Sequence, residues 1–159
     1  MRRLLPFLSA CVLLLVVSAC GEEPQLDPST GDPTKVEFAS SLGVDLAAMN
    51  RSETGLYTQD LVMGTGLEAT TGRTIIVHYS GWLPDGTLFG TSRGDDRAPS
   101  FLLSDRQLIK GWAEGIVGMK EGGKRRLVVP SDLAYGVEGR PSIPPYSVLV
   151  FEVELLSVR

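Results

Sequence analysis

One stretch, Arg106-Gln107-Leu108-Ile109-Lys110-Gly111-Trp112-Ala113-Glu114-Gly115-Ile116-Val117-Gly118, reads as a single short helix set between strand-like runs, and it limits the folds open to this chain. Trp112 and Ile116 stand four apart, and Ile109, Ala113, Ile116 and Val117 share much of one face, so about two helical turns would carry an apolar stripe. Gly118 supplies a stop. Isolated helices below roughly 12 residues are marginal in water because nucleation is unfavourable, so this one must draw its stability from packing onto a sheet. On this segment alone, Trp112 is first of all a core anchor.

The flanking runs supply that sheet. Thr74 to Leu83 alternates, with Ile75, Val77, Tyr79 and Gly81 on one face and Ile76, His78, Ser80 and Trp82 on the other. Pro84-Asp85-Gly86 closes it with turn chemistry, since proline pre-sets one torsion and glycine supplies a positive φ. Thr87 to Phe89 begins the return strand. Leu56 to Met63, Phe101 to Leu103 and Lys124 to Val129 are further strands, and Ser147 to Val158 turns Leu149, Phe151, Val153 and Leu155 inward and Val150, Glu152 and Glu154 outward. The expected fold is α+β: five or six antiparallel strands, strongly twisted, with one short helix over the apolar face. Pro130 to Tyr146 is a long loop held by four prolines, and such loops inside compact domains are usually functional.

Ahead of the domain, Arg2-Arg3 followed by the apolar run Leu4 to Val17 reads as a targeting segment too short for an untilted membrane span. Val17-Ser18-Ala19-Cys20 ends the run and resembles the bacterial lipobox, which implies cleavage after residue 19 and a lipid on Cys20. Residues 1–19 are then a lipoprotein signal peptide. Residues 20–52 comprise the lipidated cysteine, a flexible tether and a lead-in, and residues 53–159 form the folded domain. Within the lead-in, Val36-Glu37-Phe38 alternates whereas Leu42, Leu46 and Met49 have helical spacing, so the pattern commits to neither. By resemblance to enteric lipoprotein sorting rules, Gly21 and Glu22 after the cysteine favour the outer membrane or periplasm over the inner membrane.

With Cys11 in the leader and Cys20 lipidated, the domain keeps no thiol for a disulfide, a metal or a nucleophile. His78 is the only histidine, mid-strand and opposite Tyr79, and is read as structural or solvent-facing. No zinc, Cys/His or Ser/His site can be assembled from these residues, and no glycine-rich nucleotide loop is present, so no cofactor is expected. The net charge of −4 disfavours nucleic acid as a partner. What remains is aromatic: Tyr79, Phe89, Trp112, Tyr135 and Phe151 lie on separate elements, each facing the core or its rim.

Here the chain resembles the FKBP-type peptidyl-prolyl cis-trans isomerases. The likeness rests on Val77-His78-Tyr79-Ser80-Gly81-Trp82-Leu83-Pro84-Asp85-Gly86-Thr87-Leu88-Phe89, Leu108-Ile109-Lys110-Gly111-Trp112-Ala113-Glu114-Gly115, Leu133-Ala134-Tyr135-Gly136, Ile143-Pro144-Pro145 and Leu149 to Leu156, in order over residues 53–159. It implies a half-barrel sheet wrapped around the helix, with an apolar pocket between them. By resemblance Trp112 is the pocket floor, Tyr79, Phe89 and Phe151 are walls, Tyr135 stands at the rim, and the Ile109 amide donates to a bound proline-containing chain. Leu108 and Ile143 match apolar wall positions. Implied partners are proline-containing polypeptides and macrolides of the FK506 type, bound by a monomeric domain anchored to a membrane by lipid.

Two positions depart from the family pattern. Gly90 stands where active members carry an aspartate that organises the neighbouring tyrosine and arginine, and Pro99 stands where they carry a second phenylalanine, with Phe101 at the next core position. Gly90 also raises the possibility of a positive φ. The implied function is prolyl isomerisation assisting the folding of cell-envelope proteins, and the alternative is a low-activity or inactive binding module for proline-containing partners.

Overall fold

The computed structural model describes residues 27–159. Its centre is an antiparallel seven-stranded sheet built from β1 (Asn50–Arg51), β2 (Tyr57–Val62), β3 (Thr74–Trp82), β4 (Leu88–Thr91), β5 (Ser100–Leu102), β6 (Lys124–Val129) and β7 (Leu149–Val158). The strand order is β1-β2-β6-β7-β3-β4, and β5 pairs with the opposite end of β3 from β4. The long strands β3 and β7 form the spine, running from Ile75 opposite Val158 to Trp82 opposite Val150. A register shift between Ile76 and Val77 pushes Leu156 out to solvent, which lets Val158 return to the same buried side as Leu155.

The helix α1 (Lys110–Gly115) is six residues long and occupies only the middle of the Arg106–Gly118 stretch. Ile109 is extended (φ −60°, ψ 147°), so it caps the helix rather than joining it, and Gly118 ends the following turn at φ +80°. The face that meets the sheet also differs from expectation. Trp112 and Ile116 are buried, but Val117 is 38% exposed, and the contact surface is made by glycine. A Cβ on Gly111 would run into the Cγ1 of Val129, and one on Gly115 would sit 2.8 Å from the Cδ2 of Leu127. Two missing side chains therefore let the helix backbone lie directly on β6, and Trp112 reaches across to β3 and β7.

Under the helix lies the main core of Leu56, Ile75, Val77, Leu103, Ile116, Leu127, Val129, Leu149, Phe151, Val153 and Leu155. The other face of the sheet is also covered, which strand alternation did not anticipate. Val150, read as outward, is 1% exposed and packs with Tyr57, Val128, Val148 and half-buried Trp82 against Leu42 and Met49 of the lead-in. Val36, Phe38, Val44 and Leu46 complete this second cluster. The lead-in is neither strand nor α-helix but a run of single 3-10 turns, Pro33–Lys35, Ser40–Leu42 and Leu46–Ala48, ending in β1. Packed residues thus extend N-terminal to residue 53, and the segment expected to lead into the domain forms a third layer.

Polar contacts pin that layer in place. Ala39 N donates to Pro84 O at 2.8 Å, tying the lead-in to the β3–β4 turn. The Arg126 guanidinium donates to Gly43 O at 2.6 Å and to Glu152 Oε1 at 2.8 Å, and Lys124 Nζ meets Glu152 Oε2 at 2.7 Å. Burial alone would raise the Glu152 pKa, but the bonds and charges from Lys124 and Arg126 outweigh it and hold the carboxyl below its ordinary value. Because Leu42 is buried against the sheet's outer face, Leu42→Ala is expected to lower the unfolding free energy by about 2–3 kcal/mol. Denaturant melting of the protein and this variant checks the assignment; a loss within about 0.5 kcal/mol, as for an exposed residue, would mean the lead-in is not packed.

Candidate active site

Between the helix and the first face of the sheet lies a cleft of about 820 Å³, within the range of ligand pockets. Each wall comes from a different element. β3 supplies Tyr79, β4 Phe89, β5 Phe101, α1 Trp112 and β7 Phe151, and the loop after β6 supplies Tyr135 and Ile143. Leu108 and Ile109, from the turn before the helix, complete it. The eight residues that the sequence singled out in the domain thus line one cavity, and Cys20 lies outside the described residues.

Trp112 is the hub. Its ring meets Tyr79 at 5.1 Å, Phe151 at 5.4 Å and Phe101 at 5.8 Å between centroids, every pair edge to face, and Phe89 meets Phe151 in the same way at 5.5 Å. Such geometry places the positive ring edge against the negative face and contributes about 0.5–1.5 kcal/mol per pair beyond burial. The set can close only because of Gly81. A Cβ there would lie 2.6 Å from Phe89 Cζ and 2.8 Å from Phe151 Cε1. Trp112 and Phe151 are almost fully buried, whereas Tyr79, Phe89 and Tyr135 are half-buried and open onto the cleft.

Polar groups border the aromatic set. Ile109 O accepts from Trp112 N at 3.0 Å and Ala113 N at 3.1 Å, while among the described residues the Ile109 amide has no backbone acceptor. Trp112 Nε1 is buried without a hydrogen-bond partner among the described residues, which raises the value of any acceptor that reaches it. Charged side chains lining the cleft are Arg106, Lys110, Asp132 and Arg140, and Arg140 stacks over the Tyr135 ring at 4.6 Å. His78 stands apart from the cleft, its Nδ1 3.1 Å from Ser92 Oγ. That serine is buried and also accepts from Tyr79 N at 2.9 Å, so it ties the β4 end to β3 and steadies the strand that carries Tyr79.

The two departures take definite form. Gly90 lines the cleft, has no positive φ, and a Cβ added to it would meet nothing within 4 Å, so the backbone does not require glycine. Arg93, three residues on, is paired with Glu154 at 2.8 Å; the arginines on the cleft are Arg106 and Arg140. Pro99 lies beside β3, its carbonyl accepting from Val77 N at 3.2 Å. Phe101 faces the cleft and packs on Trp112, a site position missed in the sequence although its two-residue spacing from the buried Leu103 put both on one face.

Comparison with known proteins agrees with this architecture. Residues 66–156 match the family described as FKBP-type peptidyl-prolyl cis-trans isomerase. An FK506-binding protein of Neisseria meningitidis serogroup B is 50% identical over 105 residues, covering 65% of this chain and 96% of that protein. The FKBP-type peptidyl-prolyl cis-trans isomerase FkpA of Escherichia coli is 42% identical over 129 residues, 81% of this chain but only 45% of FkpA. Its crystal structure superposes with a TM-score of 0.66 at 44% identity, covering 70% of this chain and 51% of that one. AtFKBP13 superposes with a TM-score of 0.66 at 36% identity, covering 70% of this chain and 98% of its own. Fold, cleft and sequence agree: the chain belongs to the FKBP-type peptidyl-prolyl cis-trans isomerases.

Proposed function

We propose that the aromatic cleft seats the proline of an X-Pro segment on Trp112, between Phe151 and Tyr79, and isomerises the bond that precedes it. The observation that carries this reading is the closed edge-to-face set around Trp112 at the floor of a cavity large enough for a short peptide. Rotation about a peptide bond breaks amide resonance at a barrier of about 18–20 kcal/mol, and X-Pro bonds populate both isomers but exchange slowly. No bond to a protein atom need form. A twisted amide separates less charge than a planar one, so a dry aromatic lining disfavours the planar ground state relative to the twisted state. The Ile109 amide is free to hold a substrate carbonyl, and Tyr135 and Ile143 line the cleft from the loop after β6. A macrolide of the FK506 type would compete for the same surface, as the name of the Neisseria relative suggests for that protein.

Trp112→Leu tests the floor while keeping apolar volume. Isomerisation of a short X-Pro peptide should fall about tenfold, equivalent to ~1.4 kcal/mol in the barrier, in a variant shown to be folded by its circular dichroism. Full activity would contradict the assignment.

Gly90 bears on how fast the domain works. In the family pattern a carboxylate here organises the tyrosine, and in this chain no side chain among the described residues bonds the Tyr79 hydroxyl. With open space and an ordinary φ at residue 90, Gly90→Asp should fold as well as the parent and raise the isomerisation rate. A lower rate with unchanged melting temperature would show that the glycine is the better fit. An undetectable parent rate on every X-Pro peptide tried, with proline-rich chains still bound, would favour the binding-module alternative.

The protein is further proposed to work in the cell envelope, held by a lipid on Cys20 and assisting proline-limited folding there, with the outer membrane or periplasm favoured by Gly21 and Glu22. The sequence through residue 22 supports this. Cys20→Ser should abolish incorporation of a labelled fatty acid and leave the unprocessed precursor; unchanged labelling would refute the anchor.

A further inference from the structure

The cleft carries charge of the sign opposite to the rest of the molecule. The chain has a formal net charge of −4, yet its cleft is lined by the cations Arg106, Lys110 and Arg140 and by a single carboxylate, Asp132. All three cations are exposed. The ion pairs among the described residues are Arg93–Glu154, Lys124–Glu152, Arg125–Asp60 and Arg126–Glu152, and none of them uses a cleft cation. Arg93, Lys124, Arg125 and Arg126 are each neutralised by a paired carboxylate, whereas the three cleft cations share one nearby carboxylate and are paired with none among the described residues.

Arg140 is also held in position. Arg140 N donates to Ile143 O at 2.7 Å and Ile143 N donates back to Arg140 O at 2.8 Å, so the two-residue turn Pro141-Ser142 fixes its backbone. Its guanidinium rests over Tyr135, 4.6 Å from the ring centroid. A side chain already ordered by stacking loses less rotamer freedom when it meets an anion. Arg106 and Lys110 come from a different element, the turn and first residue of α1, and that turn is fastened by Gln107 N and Leu108 N on Ser104 O at 3.3 and 3.1 Å. A chain with its proline on Trp112 therefore passes cations from two separate elements.

We propose that Arg106, Lys110 and Arg140 make this isomerase selective for prolyl segments that carry aspartate or glutamate within a residue or two of the proline. The inference rests on reading the cleft as the prolyl site. Exposed charge pairs are weak, so the selectivity is modest, about two- to fivefold per carboxylate. It is also salt-sensitive, since the screening length shrinks from about 10 Å at 0.1 M to about 3 Å at 1 M.

The test uses blocked peptides identical except for glutamate, glutamine or lysine immediately before Pro, with isomerisation measured by exchange NMR so that no auxiliary protease adds its own charge preference. The expected kcat/KM order is glutamate over glutamine over lysine at low salt, converging in 1 M NaCl. The glutamate-to-glutamine ratio should fall toward one in R140Q and in the double variant R106Q/K110Q, and should hold in K35Q, which removes a cation from the lead-in. Equal rates for all three peptides at low salt, with catalysis intact, would overturn the charge inference alone. A glutamate preference undiminished in both cleft variants would overturn it as well. No acceleration of any of the peptides would remove the reading of the cleft and this inference with it.

Discussion

The close approach of helix to sheet is the constraint on which the rest depends. Gly111 and Gly115 have no side chain where Val129 and Leu127 press up from β6, so the helix backbone sits low and Trp112 reaches the middle of the sheet. A six-residue helix has too few internal hydrogen bonds to persist by itself. It persists because Trp112 and Ile116 are buried and the adjacent Gly111 and Gly115 press onto β6 on the same flank. Gly81 plays the matching part in β3, leaving room for Phe89 and Phe151 to meet edge to face. Three glycines on two elements thus set the spacing of the aromatic lining.

The sheet that receives the helix is itself supported from behind. The lead-in lays Leu42 and Met49 on Tyr57, Val128, Val148 and Val150, and the Arg126–Glu152 pair beneath it links β6, β7 and the Gly43 carbonyl. Phe151 belongs to the cleft while its neighbours Val150 and Glu152 belong to the outer face. One strand therefore carries site residues and anchoring residues in alternation. This is the link between the N-terminal segment and the geometry of the cleft.

Much of this was legible in the residues. The alternation of β3 and β7 and the Pro84-Asp85-Gly86 turn follow from period and turn chemistry, whereas the gathering of the separate aromatics into one cleft was implied only by the family resemblance. The helix was overread because Ile109 and Val117 fit a helical period, which cannot register that Ile109 is an extended cap or that the seat is made of glycine, a residue with no hydrophobic signal. Val150 was read as outward because alternation separates two faces without saying whether the second meets water or another layer. The lead-in carried conflicting periods because it is a series of 3-10 turns that packs by individual side chains. The cleft cations lie in turns whose spatial neighbours come from distant parts of the chain, so no local pattern could assemble them.

The two tryptophans offer a direct test of the central claim, that prolyl chains bind between helix and sheet on the Trp112 hub. Trp112 lies in the cleft, and Trp82 packs on the outer face against the lead-in. Titration of the isotope-labelled protein with an X-Pro peptide, followed by proton–nitrogen correlation NMR, reads both indole N–H signals at once. The account predicts a saturable shift of the Trp112 signal while that of Trp82 stays in place. Movement of Trp82 alone, or of neither signal in a sample that catalyses isomerisation, would contradict it.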